Sequence, residues 1–484
     1  MKRFYPVVRV LSLVILMFGL TMLFPLSVSW FLDDGALASF DEAFVLTVAT
    51  GAGLWYVTRK ETRDLTIRDG FLMVALVWTL LPIYAALPLV LELKLSFTDA
   101  YFEAVSGLTT TGATVLTGLD QLPVSINVWR TQMVWLGGMG LIVLAVAILP
   151  LLGIGGRQMF KAETPGPMKD TKMTPRIAET AKGLWTVYSL ASICCALAYY
   201  WAGMSGLDAL MHMFATMGLG GFSSHDASFA YFASPTIEVV AIVFMLFAGM
   251  NFATHFVVLS GRSLRPYVSD PEAGWFLLVT LGSVVGIAAF LVFHDVYASF
   301  HEALRDAAFN VVSIATTTGF ASTDYALWPF FAPLWMLFLC SFATSAGSTG
   351  GGIKMIRALV LYKQVYRELT RAMHPSAVHP VKVGGDIVQS NILFAVLAFG
   401  FVYMVCIAGM TLLLSLSGLE IITAFSAVVA SINNTGPGLG QVGPASNYAG
   451  LSDFQIWVCT FAMLLGRLEI FTLLVVMTPA FWRK

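Results

Sequence analysis

Long apolar stretches set the pattern of this chain. They cover residues 10–30, 71–91, 128–152, 185–201, 237–260, 275–293, 392–416 and 456–479. Most approach the roughly 20 residues that carry a helix across a hydrocarbon core. None shows the alternation, about 10 residues long, of a membrane barrel strand. Between the runs lie four shorter segments of mixed character that fall into register without gaps: Asp99-AYFEAVSGLTTTGAT, Asp208-ALMHMFATMGLGGFS, Asp306-AAFNVVSIATTTGFA and Thr423-AFSAVVASINNTGPG. Ala follows the first residue of each (Ala100, Ala209, Ala307, Ala424), and each carries Gly at the same later place (Gly112, Gly221, Gly319, Gly436). The start of each segment has helical spacing but is too short to span a membrane, and the Thr, Asn and Gly that follow break the helix.

A short helix with an irregular return, flanked by spanning helices, is a re-entrant loop. Irregular backbone at membrane depth persists only where protein buries it or where it lines a water-filled path. The pattern therefore predicts an all-α polytopic membrane protein. Four pseudo-repeats of helix, pore loop and helix surround one central pore, preceded by an N-terminal helix pair. The expected divisions are residues 1–69 for the pair, then 70–176, 177–268, 269–384 and 385–484 for the four units.

Such loops suit a dehydrated cation. The short helices aim their partially negative C-terminal ends at the axis, and the return segments offer backbone carbonyls in place of hydration water. The candidate ligands are Thr111, Gly112, Gly220, Gly221, Thr318, Gly319, Thr435 and Gly436. Thr110, Ala113, Phe222, Thr317, Phe320, Asn434 and Pro437 flank them as a secondary set. Glycine at the repeated place permits backbone conformations and close approaches closed to other residues.

Composition excludes a water-soluble globule: 58% of residues are hydrophobic and only 11% charged, against about 25% charged in ordinary soluble proteins. The net charge of −1 is uninformative, but its distribution is not. Basic residues gather in 2–9, 59–68, 157–182, 262–265, 354–382 and 483–484, while the opposite loops hold few besides Lys94, Arg130 and Arg305. This asymmetry predicts cytoplasmic basic segments and cytoplasmic termini; the same segments also suit anionic lipid. The basic start followed by an apolar run lacks a small-residue cleavage site, so it reads as a retained first membrane helix. The five Cys lie inside apolar runs without metal-ligand spacing, and the seven His are scattered, so neither points to a metal site or an enzyme.

Two anomalies fall below the third loop. The third inner helix breaks into Ala343-Thr-Ser-Ala-Gly-Ser-Thr-Gly-Gly-Gly-Ile-Lys, where each glycine costs a helix about 1 kcal/mol relative to Ala. The break is expected roughly 15 residues, or about 22 Å, into the helix. A flexible loop there, with Gly347, Gly350, Gly351, Gly352 and Lys354, would stand in the path of an ion. A phosphate-binding loop is excluded because Ile353 separates the last Gly from Lys. Arg467 lies inside an apolar helix at similar depth, where a cation normally faces a cavity or a partner; its guanidinium suits loop carbonyls. Glu469 is the rival partner, but residues two apart on a helix do not face each other. The helical stretch from Lys354 onward is a plausible lever for a cytoplasmic partner.

On the four loops, the added N-terminal pair and Gly218-Leu-Gly-Gly-Phe-Ser-Ser-His in the second loop, the whole chain resembles the Trk/Ktr/HKT superfamily of potassium transporters, and within it the TrkH type. The resemblance implies a homodimer in the bacterial inner membrane, one pore per subunit, and a cytoplasmic nucleotide-binding ring of the TrkA type. It implies potassium ions on main-chain oxygens around the four glycines, and it implies the same gate elements. No organic cofactor on this chain and no nucleic acid partner are expected. The fourth loop, Asn433-Asn-Thr-Gly-Pro without a leading Asp, departs most. A proton- or sodium-coupled symporter is the alternative. It requires intramembrane carboxylates, and acidic residues concentrate at loop and short-helix starts apart from Glu469 and Glu238.

Overall fold

The computed structural model describes residues 4–61, 63, 65–147, 177–376 and 378–483. Most of the basic stretch at 157–182, the end of the apolar run at 128–152 and the close of the unit at 70–176 lie outside the described residues. Six described helices are long and apolar enough to cross a membrane, or eight when each bent pair counts as one span. The described strands form one minimal hairpin, Lys382–Val383 against Asp386–Ile387.

The N-terminal pair comprises Tyr5–Leu32, continuous but for Met22, and Leu37–Thr58. Its helices touch because glycine removes the side chain at the crossing: a Cβ on Gly51 would lie 2.9 Å from the Leu16 side chain. Gln132 donates to the Thr21 carbonyl at 2.9 Å, and Asp34 accepts from the Ser125 N–H at 2.8 Å, which docks the pair onto the first unit.

Each unit has an outer helix, a short helix, a return segment and an inner helix. The first is Ile67–Leu93, Phe97–Leu108 and Val124–Ala147. The second is Ile177–Trp201, Gly206–Gly218 and an inner helix bent by 93° between Pro235–Ala248 and Phe252–Gly261. The third is Pro271–Phe293, Phe300–Ala315 and Phe331–Phe342, with Met355–Met373 continuing beyond the glycine-rich break. The fourth is Ser390–Leu416, Ile421–Ile432 and an inner helix bent by 113° between Asp453–Arg467 and Phe471–Met477.

Local chemistry starts the short helices. Ser96, Ser205 and Ser299 accept from the backbone N–H of Asp99, Asp208 and Glu302 at 3.1, 3.1 and 3.2 Å, relieving donors that the first helical turn leaves free. The leading Asp of the first two repeats is thus a first-turn residue. Asp306 is not, because the third helix begins earlier, at Phe300; its carboxylate instead accepts from the Tyr297 hydroxyl at 2.6 Å. Outward-facing positions on the long helices are apolar: Phe293, Leu416 and Phe401 are 82%, 86% and 71% exposed. Lipid, not water, is the solvent that accepts such a surface. The core runs between the short helices and the inner helices, where the return segments meet.

Candidate functional site

The four return segments share one backbone design. In each, the N–H just before the repeated glycine turns back to a carbonyl of its own short helix: Thr111 to Ser106, Thr318 to Ser313 and Thr435 to Ala430 at 2.8 Å, and Gly220 to Ala215 at 3.0 Å. Thr110, Leu219, Thr317 and Asn434, one place earlier, are all left-handed, with φ between 52° and 60°.

The glycines close a ring. A Cβ on Gly112 would fall 2.2 Å from the Gly221 nitrogen, one on Gly221 would fall 2.6 Å from the Gly319 oxygen, one on Gly319 would fall 2.0 Å from the Thr435 oxygen, and one on Gly436 would fall 2.6 Å from the Thr111 oxygen. First loop meets second, second meets third, third meets fourth, and fourth meets first. Gly319 combines this contact with a φ of +86°. Gly221 has no positive φ, so there the glycine is required by close approach alone.

The carbonyls of Thr111, Gly112, Gly221, Thr318, Gly319 and Thr435 accept no hydrogen bond among the described residues, although Thr111, Thr318 and Thr435 are fully buried. Buried carbonyls demand a partner, and oxygens converging on an axis suit a desolvated cation. Other members of the predicted set are already held. The Gly436 carbonyl accepts from the Tyr448 hydroxyl at 2.8 Å, Phe320 from the Ser313 hydroxyl at 2.7 Å, and Gly220 from the Phe222 N–H at 2.9 Å. Phe222 itself packs under the Arg130 guanidinium, 4.4 Å from its ring centre. Asn434 of the divergent fourth loop donates to the Thr111 hydroxyl and to the Met463 carbonyl, each at 3.0 Å, joining that loop to the first. Ala113 and Pro437 border the same ring, within 3.2 Å of where a Cβ on Gly436 or on Gly319, respectively, would lie.

A support lies behind the ring that the sequence reading missed. Arg130 is no loop cation: it is fully buried and pairs with equally buried Glu103 at 2.8 Å. Glu103 also accepts from the Val115 N–H at 3.1 Å, and Arg130 donates to the Ser223 carbonyl at 3.2 Å, so the pair braces the first two return segments. The expectation that acidic residues gather at loop and short-helix starts apart from Glu469 and Glu238 gains a further exception, since Glu103 stands mid-helix in Phe97–Leu108. Glu103 and Glu272 are both fully buried. The signal was present in the sequence as a polar residue at the fifth place of three repeats, Glu103, His212 and Asn310, where the fourth carries Ala427.

Directly beneath the ring sits the glycine-rich segment, and it touches all four units. The Gly351 N–H donates to the Thr317 hydroxyl at 2.8 Å, and the Thr349 hydroxyl donates to the Met217 carbonyl at 3.0 Å. Ser345 donates to Gly249 at 3.0 Å and Phe252 to Gly347 at 3.1 Å, so the segment fills the bend of the second inner helix. Arg467 donates to the carbonyls of Thr349 at 3.0 Å and Gly137 at 2.8 Å. Buried Lys354 turns inward to the Gly350 carbonyl.

The helix above the break ends at Phe342, so the break falls at Ala343 as expected. One expectation changes: the glycines do not confer looseness, since a Cβ on Gly351 would lie 1.9 Å from the Asn433 oxygen, and one on Gly347 would lie 2.7 Å from the Asn251 side chain. They are there for contact. Glu469, the rival partner of Arg467, pairs with Arg357 at 2.5 Å.

On the opposite face, His225 turns one ring nitrogen to Asp120 and the other to Asp208 at 3.2 Å, linking the first and second units. Burial alone raises the Asp120 pKa, but hydrogen bonds from His225 and the Asp226 N–H outweigh it and hold the carboxyl below its usual value.

Four re-entrant segments closing a ring of backbone oxygens define a pore-loop membrane protein of the cation-transport class. Comparison with known proteins agrees. The family model for TrkH, a cation transport protein, matches residues 37–484, and the chain belongs to that family. It is 47% identical over 484 residues to the Trk system potassium uptake protein TrkH of Escherichia coli K12, with 100% of both chains covered. It is 45% identical over 490 residues to the protein of the same name from Vibrio parahaemolyticus, again with 100% of both covered. The crystal structure of the potassium transporter TrkH from Vibrio parahaemolyticus superposes with a TM-score of 0.91 at 43% identity, covering 100% of both chains.

Proposed function

We propose that this chain carries potassium into a bacterial cell through the axis of the four return segments, with backbone carbonyls as the selective element. The observation that carries this is the closed ring of glycines beside carbonyls without protein donors among the described residues. Such oxygens replace hydration water around a dehydrated cation. The potassium named for the relatives of similar sequence and structure supports the choice of ion. The segment with Gly347, Gly350, Gly351 and Gly352, together with Lys354 and Arg467, acts as a gate. It lies under the ring, and two cations point into the region that an ion must cross. The protein works as a homodimer in the inner membrane with both termini cytoplasmic. A TrkA-type nucleotide-binding ring opens the gate by way of Met355–Met373.

Conduction is favoured over coupled symport because three buried or half-buried carboxylates are matched to arginines, Glu103 to Arg130, Glu238 to Arg305 and Glu469 to Arg357, while buried Glu272 is engaged by the backbone N–H groups of Ala346 and Ile356. The test is rubidium-86 uptake into proteoliposomes with potassium or sodium as competitor. Wild type is expected to show potassium-blocked uptake, and Gly319→Ser a shifted competition profile, because its Cβ collides with the Thr435 oxygen. Unchanged competition in a folded variant would remove the ring from the pathway. A current that reverses away from the potassium equilibrium potential would restore the symport reading.

A further inference from the structure

The gate has a fixed attachment that its own residues do not supply. Glu272 stands in the first turn of the third outer helix and is fully buried. One of its oxygens, Oε1, accepts two backbone N–H groups, from Ala346 at 2.9 Å and Ile356 at 3.0 Å. These lie on opposite sides of the glycine segment, one at its entry and one in the opening turn of Met355–Met373. That helix begins at Lys354 without a side-chain cap of its own. The Glu272 side chain therefore serves as its cap from a neighbouring element, its Oε1 accepting an N–H that the first turn leaves free.

The other oxygen, Oε2, is buried and without a partner among the described residues. A carboxylate with one doubly used and one idle oxygen is under-committed, and a buried group in that state is costly. Its helix is anchored in turn: Asp270 accepts from the Glu272 N–H at 2.9 Å and from the Thr254 hydroxyl at 2.9 Å. Thr254 belongs to the bent second inner helix, into whose bend the gate segment is packed. The charged groups around the carboxylate are Asp270 and Lys354.

We infer that Glu272 is the positioning residue of the gate: its carboxylate pins both ends of the glycine segment to the third outer helix. It thereby converts displacement of Met355–Met373 into movement of the gate. The two N–H groups share one acceptor, so the entry of the segment and the start of the helix are held at a single point. The idle Oε2 offers the displaced helix end a second place to bind. This inference rests on the gate reading above and names the residue through which that gate is worked.

The experiment is rubidium-86 flux through the full-length protein in proteoliposomes, without any partner. Glu272→Ala and Glu272→Gln are compared in two backgrounds, the native chain and a chain lacking residues 347–352. Glu272→Ala is expected to raise flux at least threefold in the native background. Glu272→Gln, whose amide oxygen still accepts both N–H groups, is expected to fall between it and wild type. Neither substitution should alter flux once the segment is deleted. Hydrogen exchange at 343–357 should quicken for Ala346 and Ile356 together in Glu272→Ala, and to a smaller extent in Glu272→Gln, whose neutral amide oxygen is the weaker acceptor; that smaller joint increase is the readout if Glu272→Ala does not fold. Wild-type flux and exchange in the folded variants, or equal effects in both backgrounds, would overturn the inference. Failure of the deletion itself to raise flux would instead overturn the gate reading.

Discussion

At the scale of single residues, buried charge decides most. Glu103 and Arg130 form a fully buried pair behind the ring, and removing one member of such a pair leaves a charge without compensation, at about 3–5 kcal/mol. Arg130→Ala and Glu103→Gln should therefore both lower thermal stability in detergent sharply, measured by intrinsic fluorescence. A small loss in either would show that the pair is solvated. Asp120 gives a pH dependence of known sign. Its folded pKa is depressed, with the His225 contact overcoming burial. The associated stability is thus present above the unfolded pKa and lost as pH falls through the folded value. Melting temperature should drop on acidification below about 4, and Asp120→Asn should flatten that part of the profile while lowering stability at neutral pH.

Among elements, the contrast between the short helices is informative. Three start with a serine cap, whereas the fourth starts at Glu420, whose side chain caps nothing although its φ of −56° and ψ of 142° suit a cap. Glu420→Ser should stabilise the protein by about 0.5–1 kcal/mol, read as a higher melting temperature with ion flux unchanged; no gain would mean the helix start is held elsewhere. The inner helices tell a second story. Arg467 ends the upper half of a helix bent by 113° and donates to the Thr349 carbonyl of the proposed gate and to the first inner helix. Arg467→Ala should raise flux and lose its effect when residues 347–352 are deleted. Reduced flux in a well-folded variant would contradict the gate.

Over the whole molecule, the repeat and the hydropathy were legible in sequence because each depends on local pattern. Short helices must be amphipathic, spanning helices must be apolar, and a return at membrane depth must carry residues that tolerate unusual backbone. The aligned places of Gly112, Gly221, Gly319 and Gly436 followed from that logic, and so did the N-terminal pair and the family resemblance. The anomalous chemistry of 343–354 and Arg467 was visible for the same reason, since glycine runs and intramembrane cations violate local rules. What the pattern could not supply is who meets whom. Only the folded chain sets Gly351 against Asn433, turns Arg130 inward to Glu103, gives Glu469 to Arg357 and brings Glu272 to Ala346 and Ile356. Those contacts join residues far apart in sequence, some within a unit and some between units, and their energy lies in burial and hydrogen bonding across elements, which no spacing within one segment records.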